Sequence, residues 1–117
     1  MRRMEKIFKA LGDRNRLRIL KMLEVRPLCV CEITRILGLG QSSVSRHLGI
    51  LRDAGLVIDE KDGLWVNYSL SADGADLSSD LLAGLRRWGN DDPRIAADRT
   101  AAGRVNRDEI CRPAPAA

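Results

Sequence analysis

At 117 residues the chain is long enough for one compact domain and too short for two. Hydrophobic residues at 44% and charged residues at 31% make an ordinary globular mix, while 3% aromatics imply an aliphatic core and no aromatic platform for stacking single-stranded bases. The net charge of +4 is unevenly placed, because Met1 to Arg52 carries twelve Lys or Arg against four Asp or Glu, which suggests a polyanionic partner but also suits simple solubility.

Met4, Ile7, Phe8 and Leu11 repeat as one face of a short helix that Gly12 ends. Asp13 is an N-cap for a second helix, Arg14 to Val25. Its Leu17, Ile19, Leu20, Met22 and Leu23 form the buried side, and Arg14, Arg16, Arg18 and Lys21 cover the other. After Pro27, the residues Val30, Ile33 and Leu37 mark a third, short helix ended by Gly38, and Leu39-Gly40 connects tightly to a fourth, Gln41 to Ala54, stopped by Gly55. Two short helices joined through glycine make a helix-turn-helix. Leu56-Val57-Ile58 reads as strand, Asp62-Gly63 as a two-residue hairpin turn, and Leu64 to Leu70 as the return strand, a wing. Ala75 to Trp88 is a last helix with Leu77, Leu81, Leu82, Leu85 and Trp88 along one side, broken by Gly89-Asn90-Asp91-Asp92-Pro93. The expected fold is mainly α with a small β-hairpin. Residues 1–90 form a winged helix-turn-helix domain, and residues 91–117, with little to bury, form a flexible C-terminal tail.

The fourth helix carries the reading chemistry. Val44, Leu48 and Leu51 make its apolar stripe, while Gln41, Ser42, Ser43, Ser45 and Arg46 crowd its first turns, with no carboxylate before Asp53, and His47 on the same helix either donates to DNA or holds the helix. Short hydrogen-bonding groups and a guanidinium can approach base edges in a major groove without repelling phosphate. An ordinary amphipathic helix with a polar surface is the bland alternative. Lys61 in the wing adds a phosphate contact. No apolar run is long enough to span a bilayer. Met1-Arg2-Arg3 runs into charged amphipathic sequence, so neither a signal peptide nor a membrane partner is expected, and the location is read as cytoplasmic.

Ala10-Leu11-Gly12-Asp13, Arg16 to Leu20, Leu28-Cys29-Val30-Cys31-Glu32-Ile33, Ser45 to Val57 and Trp65 to Leu70 together resemble the ArsR/SmtB winged-helix repressors over roughly Met4 to Trp88. The resemblance implies a homodimer paired through the first and last helices. It also implies a repressor that needs no cofactor to hold double-stranded operator DNA and that an inducer releases. The Leu-Cys-Val-Cys-Glu run looks like the thiolate motif of the family's arsenite and antimonite sensors, shared in a version by cadmium and lead sensors. In the arsenite pattern a third cysteine often follows the second by three residues; here Thr34 stands there. The zinc-type site of Asp and His pairs on the last helix is discounted, because that helix has Asp76 and Asp80 but no His.

Side chains two apart in mid-helix point about 200° away from each other. Cys29-x-x-Glu32 has capping-box spacing. A Cys29 at the N-cap lies outside the helical dihedrals and can turn its sulfur toward Cys31, and free amides there favour thiolate. Two or three thiolates suit As(III), Sb(III), Cd(II) or Pb(II). Cys111 in the tail is the other candidate ligand, or else a free tail thiol. Both helix cysteines could instead be small buried apolar residues. Three rivals remain: the same fold sensing oxidants or persulfide through Cys29 and Cys31, a thiol enzyme with Cys29 as nucleophile, and a helical dimerisation module that binds no nucleic acid.

Overall fold

The computed structural model describes residues 1–71 and 76–110. Two helices open the chain, α1 (Arg2–Leu11) and α2 (Arg14–Leu23), and Asp13 caps α2 by accepting from the amides of Asn15 and Arg16. A two-residue strand, β1 (Leu28–Cys29), leads into α3 (Val30–Leu37) and then α4 (Gln41–Asp53). Gly55, at φ 76°, turns the chain out of α4 in a conformation that disfavours any Cβ. The wing follows as β2 (Val57–Asp62) and β3 (Trp65–Leu70), which pair antiparallel from Val57↔Leu70 to Asp62↔Trp65. The connecting residues are therefore Gly63 and Leu64, one position later than the Asp62-Gly63 turn expected, with Gly63 taking the positive φ of 61°. β1 adds to the far side of β3, with Leu28 opposite Tyr68 and Cys29 opposite Asn67, giving the order β1-β3-β2.

The core is aliphatic, as the composition requires. Ile7, Ile19, Leu20, Met22, Leu28, Ile33, Val44, Leu48, Leu51 and Leu56 are fully enclosed where α1 to α4 meet the sheet. The fifth helix, α5 (Leu77–Leu85), begins on an Asp76 cap and is shorter than the Ala75–Trp88 span expected.

The largest departure is C-terminal to it. Where a flexible tail was expected from residue 91, the chain forms α6 (Pro93–Arg104) and the single turn α7 (Arg107–Ile110). Asp92 caps α6 and Pro93 sits at its first turn, a start signal present in the sequence. α6 docks on the basic face of α2 rather than on an apolar seam. Arg18 donates to both carboxylate oxygens of Asp98 at 2.7 and 3.0 Å, and Arg99 donates to Glu24 at 2.6 Å and to the Lys21 carbonyl at 3.1 Å. Lys21, expected on the solvent side, is consequently buried. Its ammonium is satisfied by Glu24 at 3.0 Å and by the Leu85 carbonyl at 2.6 Å, where a cation also suits the C-terminal end of α5.

Candidate regulatory and nucleic-acid interface

The helix α4 is seated by its apolar stripe. Val44, Leu48 and Leu51 are fully buried, which leaves Gln41, Ser42, Ser45 and Arg46 exposed and Ser43 half-buried on the opposite side. Gly40 precedes the helix and provides no side-chain cap, so the first-turn amides stay open to an outside acceptor. Lys61 is exposed on β2, and Arg52 at the end of α4 donates to Asp59 of the wing at 3.0 Å.

His47 does not belong with that face. It is 7% exposed and turned inward, where its Nδ1 lies 3.2 Å from an Arg16 guanidinium nitrogen. A guanidinium only donates, so Nδ1 accepts and the imidazole is neutral with its proton on Nε2. Burial pushes the His47 pKa down. Asp13 works against that, and the charges of Arg16 and Arg46 reinforce it. Arg16 also donates to the carbonyls of Ala10 and Lys9 at 2.8 and 3.1 Å, so one side chain ties the end of α1 to α2 and to the reading helix. His47 therefore packs beneath α4 against Arg16.

The cysteine site is built at the start of α3. Cys29 is its N-cap residue with extended dihedrals, as the spacing predicts. Its amide donates to Glu32 Oε1 at 3.0 Å, and the amides of Glu32 and Cys31 point back at its sulfur, a capping box with sulfur in place of oxygen. The ionisation state differs from the expectation. Cys29 is 1% exposed, and burial raises its pKa, the neighbouring Glu32 carboxylate adding to this; the two amides do not compensate. Burial likewise opposes ionisation of Glu32, but the Cys29 amide and the Arg26 guanidinium, 2.9 Å away, outweigh it and hold that carboxyl below its ordinary range. Cys29 is therefore held as a neutral thiol at rest.

Cys29 is a free thiol, whereas Cys31 is disulfide-bonded. Cys31 Sγ lies 3.9 Å from the carbonyl oxygen of Ile110, at the end of α7. Cys111, the next residue in sequence and the third expected ligand, lies outside the described residues. Among the described residues no three His, Cys, Asp or Glu side chains converge as metal ligands. Thr34, standing where a third cysteine is often found, has a buried hydroxyl with no hydrogen-bond partner.

Sequence reasoning missed Arg26 and Arg107. Arg26 joins Glu32 to the carbonyls of Ala102 at 2.9 Å and Val105 at 2.6 Å. Arg107 donates to Asp62 at 2.7 Å and Asn67 at 3.0 Å and lies 4.3 Å over the Trp65 ring. Nothing local in sequence announces these contacts, since most of the partners are 40 or more residues apart.

A helix-turn-helix with a wing, a polar first turn on the second helix and a cysteine-capped first helix define a winged-helix DNA-binding regulator. The family model of the bacterial regulatory protein arsR family matches residues 13–59. The chain is 40% identical over 95 residues to the arsenical resistance operon repressor of Bacillus subtilis (strain 168), covering 79% of this chain and 90% of that protein. It is 47% identical over 66 residues to the arsenical resistance operon repressor of Escherichia coli (strain K12), a match spanning 56% of each, so only about half of that relative's length. Among solved structures, HlyU from Vibrio cholerae N16961 superposes with a TM-score of 0.63 at 35% identity, over 73% of this chain and 89% of that one. The chain belongs to the ArsR family of winged-helix transcriptional regulators, which are DNA-binding proteins and not enzymes. No described helix is long and apolar enough to cross a membrane.

Proposed function

We propose that the chain is a homodimeric, cytoplasmic repressor that holds double-stranded operator DNA through α4 and the wing. As(III) or Sb(III) releases it by binding Cys29, Cys31 and the tail thiol Cys111, and Cd(II) or Pb(II) are further candidates. The observation that carries this reading is the placement of Cys29. It is at once the N-cap of the first reader helix and the strand partner of Asn67 in the wing. Turning the Cys29 sulfur toward an ion changes the geometry in which it accepts the Cys31 and Glu32 amides, so occupying the site strains the start of α3. Similarity to the arsenical resistance operon repressors of Bacillus subtilis and Escherichia coli supports an arsenical response.

Gln41, Ser42, Ser43, Ser45, Arg46 and Lys61 supply the DNA-facing set, and His47 acts beneath it. Each thiol that binds arsenite replaces one hydroxyl of As(OH)3 and releases water, so Cys31 enters the site in its reduced form. Burial of Cys29 adds a desolvation barrier that metalloid binding must overcome. A hundredfold change in operator affinity needs about 2.7 kcal/mol of coupling, and loss of a cap supplies about 1 to 2 kcal/mol of it.

The test is fluorescence anisotropy on a duplex selected by the full chain from a random-sequence pool, titrated with arsenite under reducing conditions. Cys29→Ser and Cys31→Ser should bind the duplex and ignore arsenite, while Cys111→Ser should respond more weakly. Release of both helix variants at wild-type arsenite concentrations would place sensing elsewhere.

The disulfide state of Cys31 favours one second reading, a repressor that responds to oxidants. Two thiols give up two protons and two electrons to a peroxide, which is reduced to water. Operator affinity measured in dithiothreitol and after peroxide treatment, without arsenite, separates the two inputs.

A further inference from the structure

The C-terminal helices touch both the cysteine-bearing end of α3 and the wing, and the proposed function uses neither helix. On one side, the last residue of α7 places its carbonyl 3.9 Å from Cys31 Sγ. On the other, the first residue of α7, Arg107, grips the wing through Asp62, Asn67 and the Trp65 ring. The two ends are three residues apart, about 4.5 Å of helical rise, with no flexible stretch between them. Asn67 is also the strand partner of Cys29, so the cysteine site and the Arg107 grip meet at Asn67, across the β1–β3 pair.

We propose that α7 is a strut that carries the state of the Cys29–Cys31 site to the wing, with Arg107 as the positioning residue. The inference rests on the reading above only in taking Cys31 as part of the input.

The sign follows from charge. Asp62 closes β2 next to Lys61, the wing cation expected to meet phosphate, and its carboxylate is more than half exposed. Docked, Arg107 neutralises that carboxylate. Withdrawn, it leaves Asp62 uncompensated beside Lys61, where a carboxylate repels the DNA backbone. The docked strut therefore belongs to the DNA-holding state. Arg26, bound to Glu32 and to the carbonyls of Ala102 and Val105, joins the same strut to the capping box from the α6 side.

The test is a double-mutant cycle in the full-length chain on the pool-selected duplex. Arg107→Ala should bind about fivefold or more weaker, the lower end of ordinary coupling between sites. Asp62→Asn should bind as wild type, and the double variant should recover to within about twofold of Asp62→Asn, because the repelling charge is gone. A purely structural role for Arg107 would not be rescued by removing Asp62. Wild-type affinity in Arg107→Ala, or a double variant as weak as the single, overturns the strut.

The coupling is then read as the ratio of affinities without and with arsenite, alongside the sulfur-to-arsenic ultraviolet band. In Arg107→Ala the band should be unchanged and the ratio smaller than in wild type; an unchanged ratio overturns the proposal. If wild type shows no band, the arsenite reading fails by itself, and the ratio is taken between dithiothreitol-reduced and diamide-oxidised protein. No ratio under either treatment overturns both.

Discussion

His47 is the only imidazole in the chain, and geometry holds it neutral. Its folded pKa lies below the unfolded value of about 6.5, so the unfolded chain takes up a proton that the folded chain refuses as pH falls through that value. Stability is therefore whole above about pH 6.5 and declines below it, until the folded pKa is reached. Asp13 and Glu32, both lowered, lose their contribution only below about pH 4.5, which leaves the interval from about pH 6.5 to 5 to His47. We expect the urea midpoint of wild type to drop across that interval and that of His47→Gln, which keeps an acceptor for Arg16, to stay flat. An equal drop in both would assign the titration elsewhere. The residue was legible in sequence as part of the reading helix, but its direction was not. The stripe Val44, Leu48, Leu51 defines a buried arc, and only the opposing Arg16 shows that position 47 falls inside its edge. The same holds for Cys29, whose capping role is written in its spacing to Glu32, whereas its burial depends on the wing strand opposite.

At the scale of elements, the apolar periods and the glycines located α1 to α4 and the hairpin to within a few residues, because those signals are local. α6 escaped for a physical reason. It buries Asp98 and Ala102 and has no wide apolar stripe, and the side chains that hold it down have their partners 75 to 80 residues away on α2. Salt bridges between distant segments leave no periodic trace. Their enclosure makes them consequential: the Arg18 and Asp98 side chains are 12% and 3% exposed. Asp98→Ala should therefore destabilise the fold by about 3 kcal/mol, since it strands the Arg18 charge rather than merely deleting an attraction. The double variant Arg18→Met/Asp98→Leu should return most of that loss, because an apolar pair leaves no stranded charge. Urea unfolding at pH 7 reads both. A double variant no more stable than the single would mean that α6 is held by something other than this pair.

For the whole molecule, the asymmetry of charge and the exposed apolar residues point to two different neighbours. The basic half contains the reading helix and the acidic half contains α5 and α6. Affinity for duplex DNA should accordingly fall steeply with salt, the slope of log K against log salt steepening by about 0.9 for each phosphate neutralised. The second neighbour is expected at the α1 and α5 end. Those helices are joined by the Arg3–Asp76 ion pair, yet Met4, Phe8 and Trp88 remain 50%, 52% and 55% exposed. Large apolar side chains left outward on α1 and just past α5 are the ones such a neighbour would cover. Trp88 is held in place locally, for its indole lies across Gly84, where an added Cβ would come within 2.8 Å of the ring. Gly84→Ala must therefore push the indole aside. If a second copy of the chain covers this face, Phe8→Glu should shift sedimentation from dimer to monomer at micromolar concentration, and Gly84→Ala should weaken the dimer by about tenfold, the effect of a misplaced aromatic anchor. Both variants should keep their helical circular dichroism and lose operator affinity together with the dimer, since a monomer presents one reading helix where an operator of two half-sites needs two. A Phe8→Glu protein that sediments as wild type would remove this face from the dimer and leave its apolar residues to a different partner.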